Sequence, residues 1–112
     1  MRGTLLVNQS GGHNKFYLIY EMARGILCKY GRIDSHLRYE RVQAEKEYPG
    51  KGFLTMKNSK INTRGYEEVF DMDADNPDEI WESAVEWAKT GRVPTGELVA
   101  TEYLAWFDGG DE

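Results

Sequence analysis

Apolar positions fall into two rhythms along this chain. Thr4 to Val7 is a short apolar stretch ahead of the polar turn Ser10-Gly11-Gly12, and it reads as a first edge strand or a loosely held arm. Asn14 to Tyr20 is rich in aromatic and β-branched residues and predicts a strand. Ala23-Arg24-Gly25 supplies a turn, and Ile26 to Ile33 predicts a second strand with Tyr30-Gly31-Arg32 near its end. After Asp34-Ser35, the segment from His36 to Ala44 alternates, with Leu37, Tyr39 and Arg41 on one face, and predicts a third strand. Three strands joined by short turns make an antiparallel meander. Tyr48-Pro49-Gly50-Lys51-Gly52 is expected to break the sheet.

The rhythm then turns helical. Phe53, Met56, Lys57 and Ile61 share a helical spacing, and Gly65 after Arg64 is a common left-handed stop. Tyr66 to Met72 predicts a last strand, followed by the acidic joint Asp71-Met72-Asp73-Ala74-Asp75. Asn76 can cap a helix whose first position is Pro77, and Asp78 and Glu79 suit its positive end. Ile80, Trp81, Ala84, Val85, Trp87 and Ala88 form its apolar stripe, and Gly91 ends it. A further helix is expected from about Thr95 to Trp106, with Leu98, Val99, Tyr103 and Trp106 facing inward. The expected class is α+β: a small antiparallel sheet with one packed helix over residues 1–72, then an acidic two-helix extension over 73–112, packed on or beside it.

Charge sharpens that division. Residues 1–66 carry 12 Lys/Arg against 5 Asp/Glu, a net of +7, whereas residues 67–112 carry 2 against 14, a net of −12. The formal −5 of the whole chain hides this dipole. A basic front half invites a polyanion; an acidic back half invites a basic partner or shields the front. At 112 residues the chain has the length of one domain, and its 40% hydrophobic content is that of a globular protein. The lone Cys28 permits no internal disulfide and no cysteine-built zinc site, and its strand context suggests a small buried hydrophobe. A reducing, cytoplasmic setting is the expectation. No secretory pattern and no membrane-length apolar run is present.

The order of segments between Asn14 and Tyr66 carries a further signal. An Asn14-Lys15-Phe16-Tyr17 strand precedes Tyr30-Gly31-Arg32, and a later helix with Lys60 closes in Arg64-Gly65-Tyr66. This order resembles the WGR domain, a small module named for a Trp-Gly-Arg tripeptide, over residues 14–72. Two departures stand out. Tyr30 occupies the place of the tryptophan, and Ile33-Asp34-Ser35 follows where a Gly-containing turn is usual. WGR modules occur in DNA-dependent poly(ADP-ribose) polymerases, where they grip DNA near strand ends. The resemblance therefore implies nucleic-acid contact, with Tyr30 stacking on a sugar or base and Arg32 holding a phosphate.

The residues support a similar expectation without the family. Lys29, Tyr30, Arg32, Arg38, Arg41, Lys57, Lys60 and Arg64 are the candidate nucleic-acid-binding set, cations for the backbone and aromatics for stacking. The bland alternative is that these are ordinary solvated faces and that Tyr30 is core. No segment reads as a recognition helix, so binding would be directed by shape or strand end. A second reading is of another class: a small protein-binding inhibitor or regulator, such as a phage-encoded one, whose Glu82 and Glu86, with Trp81 and Trp87, occupy a basic surface on an enzyme. Those tryptophans read as core or as interface anchors. A third is a subunit whose complementary halves pair head to tail. Enzymatic function is not expected. His13 and His36 lack metal-ligand neighbours, the Asp71-Asp73-Asp75 run fails as a calcium loop, and Gly50-Lys51-Gly52 is too short for a phosphate loop. No cofactor, metal or membrane partner is expected.

Overall fold

A computed structural model describes residues 1–33 and 44–94. The expected third strand, at residues 36–44, the helix from Thr95 to Trp106, and Arg38 and Arg41 with them, lie outside the described residues but for Ala44. The described chain runs β1 (Arg2–Asn8), β2 (Lys15–Met22), β3 (Gly25–Arg32), β4 (Ala44–Pro49), α1 (Phe53–Arg64), β5 (Glu67–Asp73) and α2 (Pro77–Thr90). The strands form one antiparallel sheet in the order β4-β3-β2-β1-β5. An α+β architecture is therefore what the molecule has.

β1 is a central strand rather than an edge or an arm, because it pairs with β2 on one side and β5 on the other. Its sequence shows why. Leu5 and Leu6 are neighbours, so they point to opposite faces, and both are 0% exposed. A continuous apolar run is what a strand covered on both faces requires. Phe16 to Tyr20 of β2 obeys the same rule, with every residue buried. The break expected at Tyr48 comes later, since β4 continues to Pro49.

Each face has its own core and its own helix. On the first face Leu5, Val7, Phe16, Leu18, Tyr20, Phe70 and Met72 pack with Ile80 and Ala84 of α2. Gly3 lets α2 come close, because a Cβ there would sit 2.5 Å from the Ile80 side chain. Burying Ile80 contributes about 2–3 kcal/mol. α2 starts as its sequence indicates: Asn76 Oδ1 accepts from the Glu79 N–H at 3.2 Å, and Pro77 opens the helix.

On the second face Leu6, Tyr17, Ile19, Ile26 and Cys28 pack with Phe53 of α1 and with Tyr66. α1 ends at Gly65, whose φ of 77° is left-handed, and the Tyr66 N–H donates back to the Lys60 carbonyl at 3.2 Å. β5 then crosses the expected boundary at residue 72 and ends at Asp73. The described part of the acidic half therefore shares a core with the basic half: β5 lines the sheet and α2 closes it. Among the described residues, no helix is long and apolar enough to cross a membrane.

Candidate nucleic-acid interface

Strand alternation decides which cations can act together. β2 and β3 pair in the register Lys15↔Arg32, Phe16↔Gly31, Tyr17↔Tyr30 and Leu18↔Lys29. The Asn-Lys-Phe-Tyr segment thus lies directly against Tyr30-Gly31-Arg32, residue by residue. Asn14 locks the end of this ladder: its carbonyl accepts from the Ile33 N–H at 2.9 Å, and its side-chain Nδ2 donates to the Ile33 carbonyl at 3.0 Å. Lys15, Tyr17, Tyr30 and Arg32 all belong to the second face, the one carrying α1.

The tyrosines form the floor. Tyr17 and Tyr30 stack nearly parallel, with ring centroids 5.1 Å apart and planes 9° from parallel. Tyr66 meets Tyr17 edge-on at 5.9 Å. Such ring pairs add roughly 0.5–1.5 kcal/mol beyond the area they bury. Tyr17 and Tyr66 are buried, whereas Tyr30 is half-buried. Burial first, then Cys28 and Tyr48, push the Tyr17 hydroxyl well above the ordinary tyrosine range, so it stays a neutral O–H. Cys28 is buried, and its thiol is likewise pushed up by burial. It serves as a core residue.

Cations form the walls. Lys60 Nζ lies 4.3 Å from the centre of the Tyr17 ring. Lys60 and Arg64 sit four residues apart on the last turns of α1, so they share one side of the helix. The carbonyl end of the helix tolerates positive charge there. Together with Lys15 and Arg32 they line an open cleft of about 550 Å³, which also takes in Tyr48 and the exposed His13. Burial pulls the Lys60 ammonium below its ordinary range, and the nearby charges of Arg64 and Lys15 lower it further. Lys15 and Arg32 face each other as like charges across a strand pair, which is unfavourable unless an anion joins them. Among the described residues, no carboxylate pairs with any of these four cations.

Asn8 holds the rim. It is 6% exposed. Its Nδ2 donates to the Arg64 carbonyl at 3.1 Å, while its Oδ1 accepts from the Ser10 N–H and hydroxyl. One side chain therefore ties the end of α1 to the β1–β2 turn that leads to His13.

Two members of the expected set do not belong to this cleft. Lys29 is one residue from Tyr30, so it points to the opposite face. There its ammonium lies 5.0 Å from the Trp81 ring and 5.6 Å from the Tyr20 ring, a cation–π contact with the first core. Lys57 is turned toward β5 and is only 8% exposed. It donates to Asp71 Oδ2 at 2.6 Å and also pairs with Glu68. Burial works against the charged Lys57, yet these two partners hold its pKa above the ordinary value. Asp71 in turn accepts hydrogen bonds from Arg2 Nε at Oδ1 and from Arg2 Nη2 at Oδ2, each at 2.9 Å. Its burial favours the neutral acid, but Arg2 and Lys57 hold it below the usual carboxylate range. Lys57 is a structural cation in an ion-pair network.

Tyr30, Arg32, Lys60 and Arg64 do come together. Lys15, Tyr17, Tyr48 and Tyr66 join them, and residue type alone did not single these out as site residues. Period-two alternation is the signal that finds Lys15 and Tyr17, since each lies opposite a member of the tripeptide. On the other face, Trp81 packs 6.2 Å from the Phe16 ring, and Trp87 is half-buried against the same core. Glu82 and Glu86 are exposed beside a groove of about 580 Å³ with Arg92 and Val93. α2 covers the face opposite the cleft, and Arg32 is exposed. Among the described residues, no group of His, Cys, Asp or Glu is placed to hold a metal. Comparison of the chain with protein-family models, curated proteins and solved structures returned no match.

Proposed function

We propose that this chain is a non-catalytic module that binds nucleic acid through the cleft around Tyr30 and Arg32. One observation carries the reading: Lys15, Arg32, Lys60 and Arg64 converge on a tyrosine floor, and none has a carboxylate partner among the described residues. Cations crowded this way are relieved by an external polyanion. Arg32 can hold a phosphate with paired hydrogen bonds, and the lysines add point charge. The WGR-like reading draws support from the same place, because its three segments meet in this cleft: β2 against β3 in register, and Tyr66 against Tyr17. A cytoplasmic setting fits the single buried thiol.

A second reading rests on the other face. The exposed Glu82 and Glu86 leave an acidic surface free to meet a basic protein, which would make the module an adaptor between that protein and a nucleic acid.

The test is titration of the full chain into short labelled DNA and RNA. Four phosphate contacts predict that log K falls with log salt at a slope between about −3 and −4. Arg32→Glu should weaken binding about 100-fold while leaving the unfolding midpoint in place. Salt-insensitive binding, or unchanged affinity in Arg32→Glu, overturns the assignment.

A further inference from the structure

Resting on the reading of the cleft as a nucleic-acid site, we propose that its ligand is single-stranded nucleic acid, with one unpaired base laid on Tyr30 and the flanking phosphates held between the strand pair Lys15/Arg32 and the helix pair Lys60/Arg64. The ring stack points to it. Tyr17 is 5% exposed and already engaged, with Tyr30 parallel to it at 5.1 Å, the Tyr66 edge at 5.9 Å and the Lys60 ammonium at 4.3 Å. Tyr30 is the outer member. It gives one face to Tyr17, remains half-buried, and lines the cleft. A stack that ends in a partly open ring among cations offers the next place to a flat aromatic group carrying negative charge, and a nucleotide is such a group.

Shape favours an unpaired base over a duplex. The cations stand on two walls, one made by the sheet and one by α1, with the aromatic floor between them. The bases of a duplex are stacked inside it, and only their edges reach the grooves. Away from its ends a duplex would leave the Tyr30 face unused, and it would have to bring a convex rod into a concavity. The volume of about 550 Å³ lies within the range of sites that enclose a compact ligand. α1 is laid along the sheet, with Phe53 and Lys57 turned inward, so it is not presented as a reading helix for a major groove. Stacking is tolerant of base identity, so little sequence preference is expected.

The experiment uses the full chain and three probes of equal length and matched label: oligothymidylate, a base-free deoxyribose-phosphate strand, and a blunt DNA duplex. Oligothymidylate should bind about ten-fold more tightly than the base-free strand, and more tightly than the duplex. Tyr30→Leu should remove the advantage of the base-bearing strand, so that the two single strands bind it with equal affinity. Tyr30→Trp should keep or enlarge that advantage, and it guards against a folding defect in the leucine variant. Equal affinity for base-bearing and base-free strands, or tighter binding of the duplex, overturns the proposal but leaves the cleft a nucleic-acid site. If none of the three probes binds at low salt, the broader assignment falls as well.

Discussion

The two faces of one sheet meet their helices on opposite terms. On the first, α2 drives Ile80 and Ala84 into an apolar core and leaves its acids in water. On the second, α1 buries Phe53 and Lys57, and its far end stands over a cleft lined by tyrosines and by cations that have no carboxylate partner among the described residues. The first face is built to hold the fold, and the second gives up apolar cover in exchange for an open charged surface. A shift of one residue along β3 separates the two: Lys29 serves the core of the first face, whereas Tyr30 and Arg32 serve the cleft. The exposed acids of α2 lie on the side away from Arg32, whereas Glu68 and Asp71 of the acidic half reach the α1 side and pair with Lys57.

Substitutions should therefore sort by face. The largest effect is expected from Ile80→Ala, which opens a cavity where α2 meets Gly3 and should cost about 3–4 kcal/mol in denaturant unfolding. Its nucleic-acid affinity, measured where the variant is still folded, should stay within two-fold of the parent. Loss of binding in the folded variant would show that the two faces are coupled. Next comes Asp71→Asn, which leaves Lys57 buried with a weakened partner and should cost about 2 kcal/mol. Because the folded pKa of Asp71 lies below its unfolded value, its contribution is present above pH 4 and is lost as pH falls toward the folded pKa. The acid limb of the stability curve should therefore be shallower in the variant, and an unchanged limb would remove Asp71 from the account. The smallest effect belongs to the joint change Glu82→Gln and Glu86→Gln. Stability should move by less than about 0.5 kcal/mol. Nucleic-acid binding should tighten slightly at low salt and return to the parent value near physiological salt, as expected for distant screened charge. A large change in either direction would place those acids in the cleft's own machinery.

Much of this was legible in the sequence, for physical reasons. Asn76, Pro77 and Gly91 bracket α2, and Gly65 stops α1, because caps and left-handed stops are local chemistry. Tyr30 and Arg32 lie two apart on one strand, so they had to share a face. Other parts were hidden. The placement of β1 depends on pairing with a strand far along the chain, which no local pattern reports. Lys57 looks like any exposed helix lysine until Asp71 and Glu68 are brought beside it. Alternation already set Lys29 on the face opposite Tyr30, but its neighbour Trp81 could not be read from the strand. In each case the missing information was the identity of a distant neighbour.

The seat of β1 has a consequence for how the molecule is made. Its Thr4 hydroxyl donates to the Phe70 carbonyl across 66 positions, and the whole of its outer edge waits for β5. During synthesis Leu5 and Leu6 precede their cover: α1, which packs over Leu6, begins at Phe53, whereas β5 and then α2, which packs over Leu5, begin only at Glu67 and Pro77. Closure of the sheet should accordingly be slow, because it waits on a pairing between segments far apart in the chain.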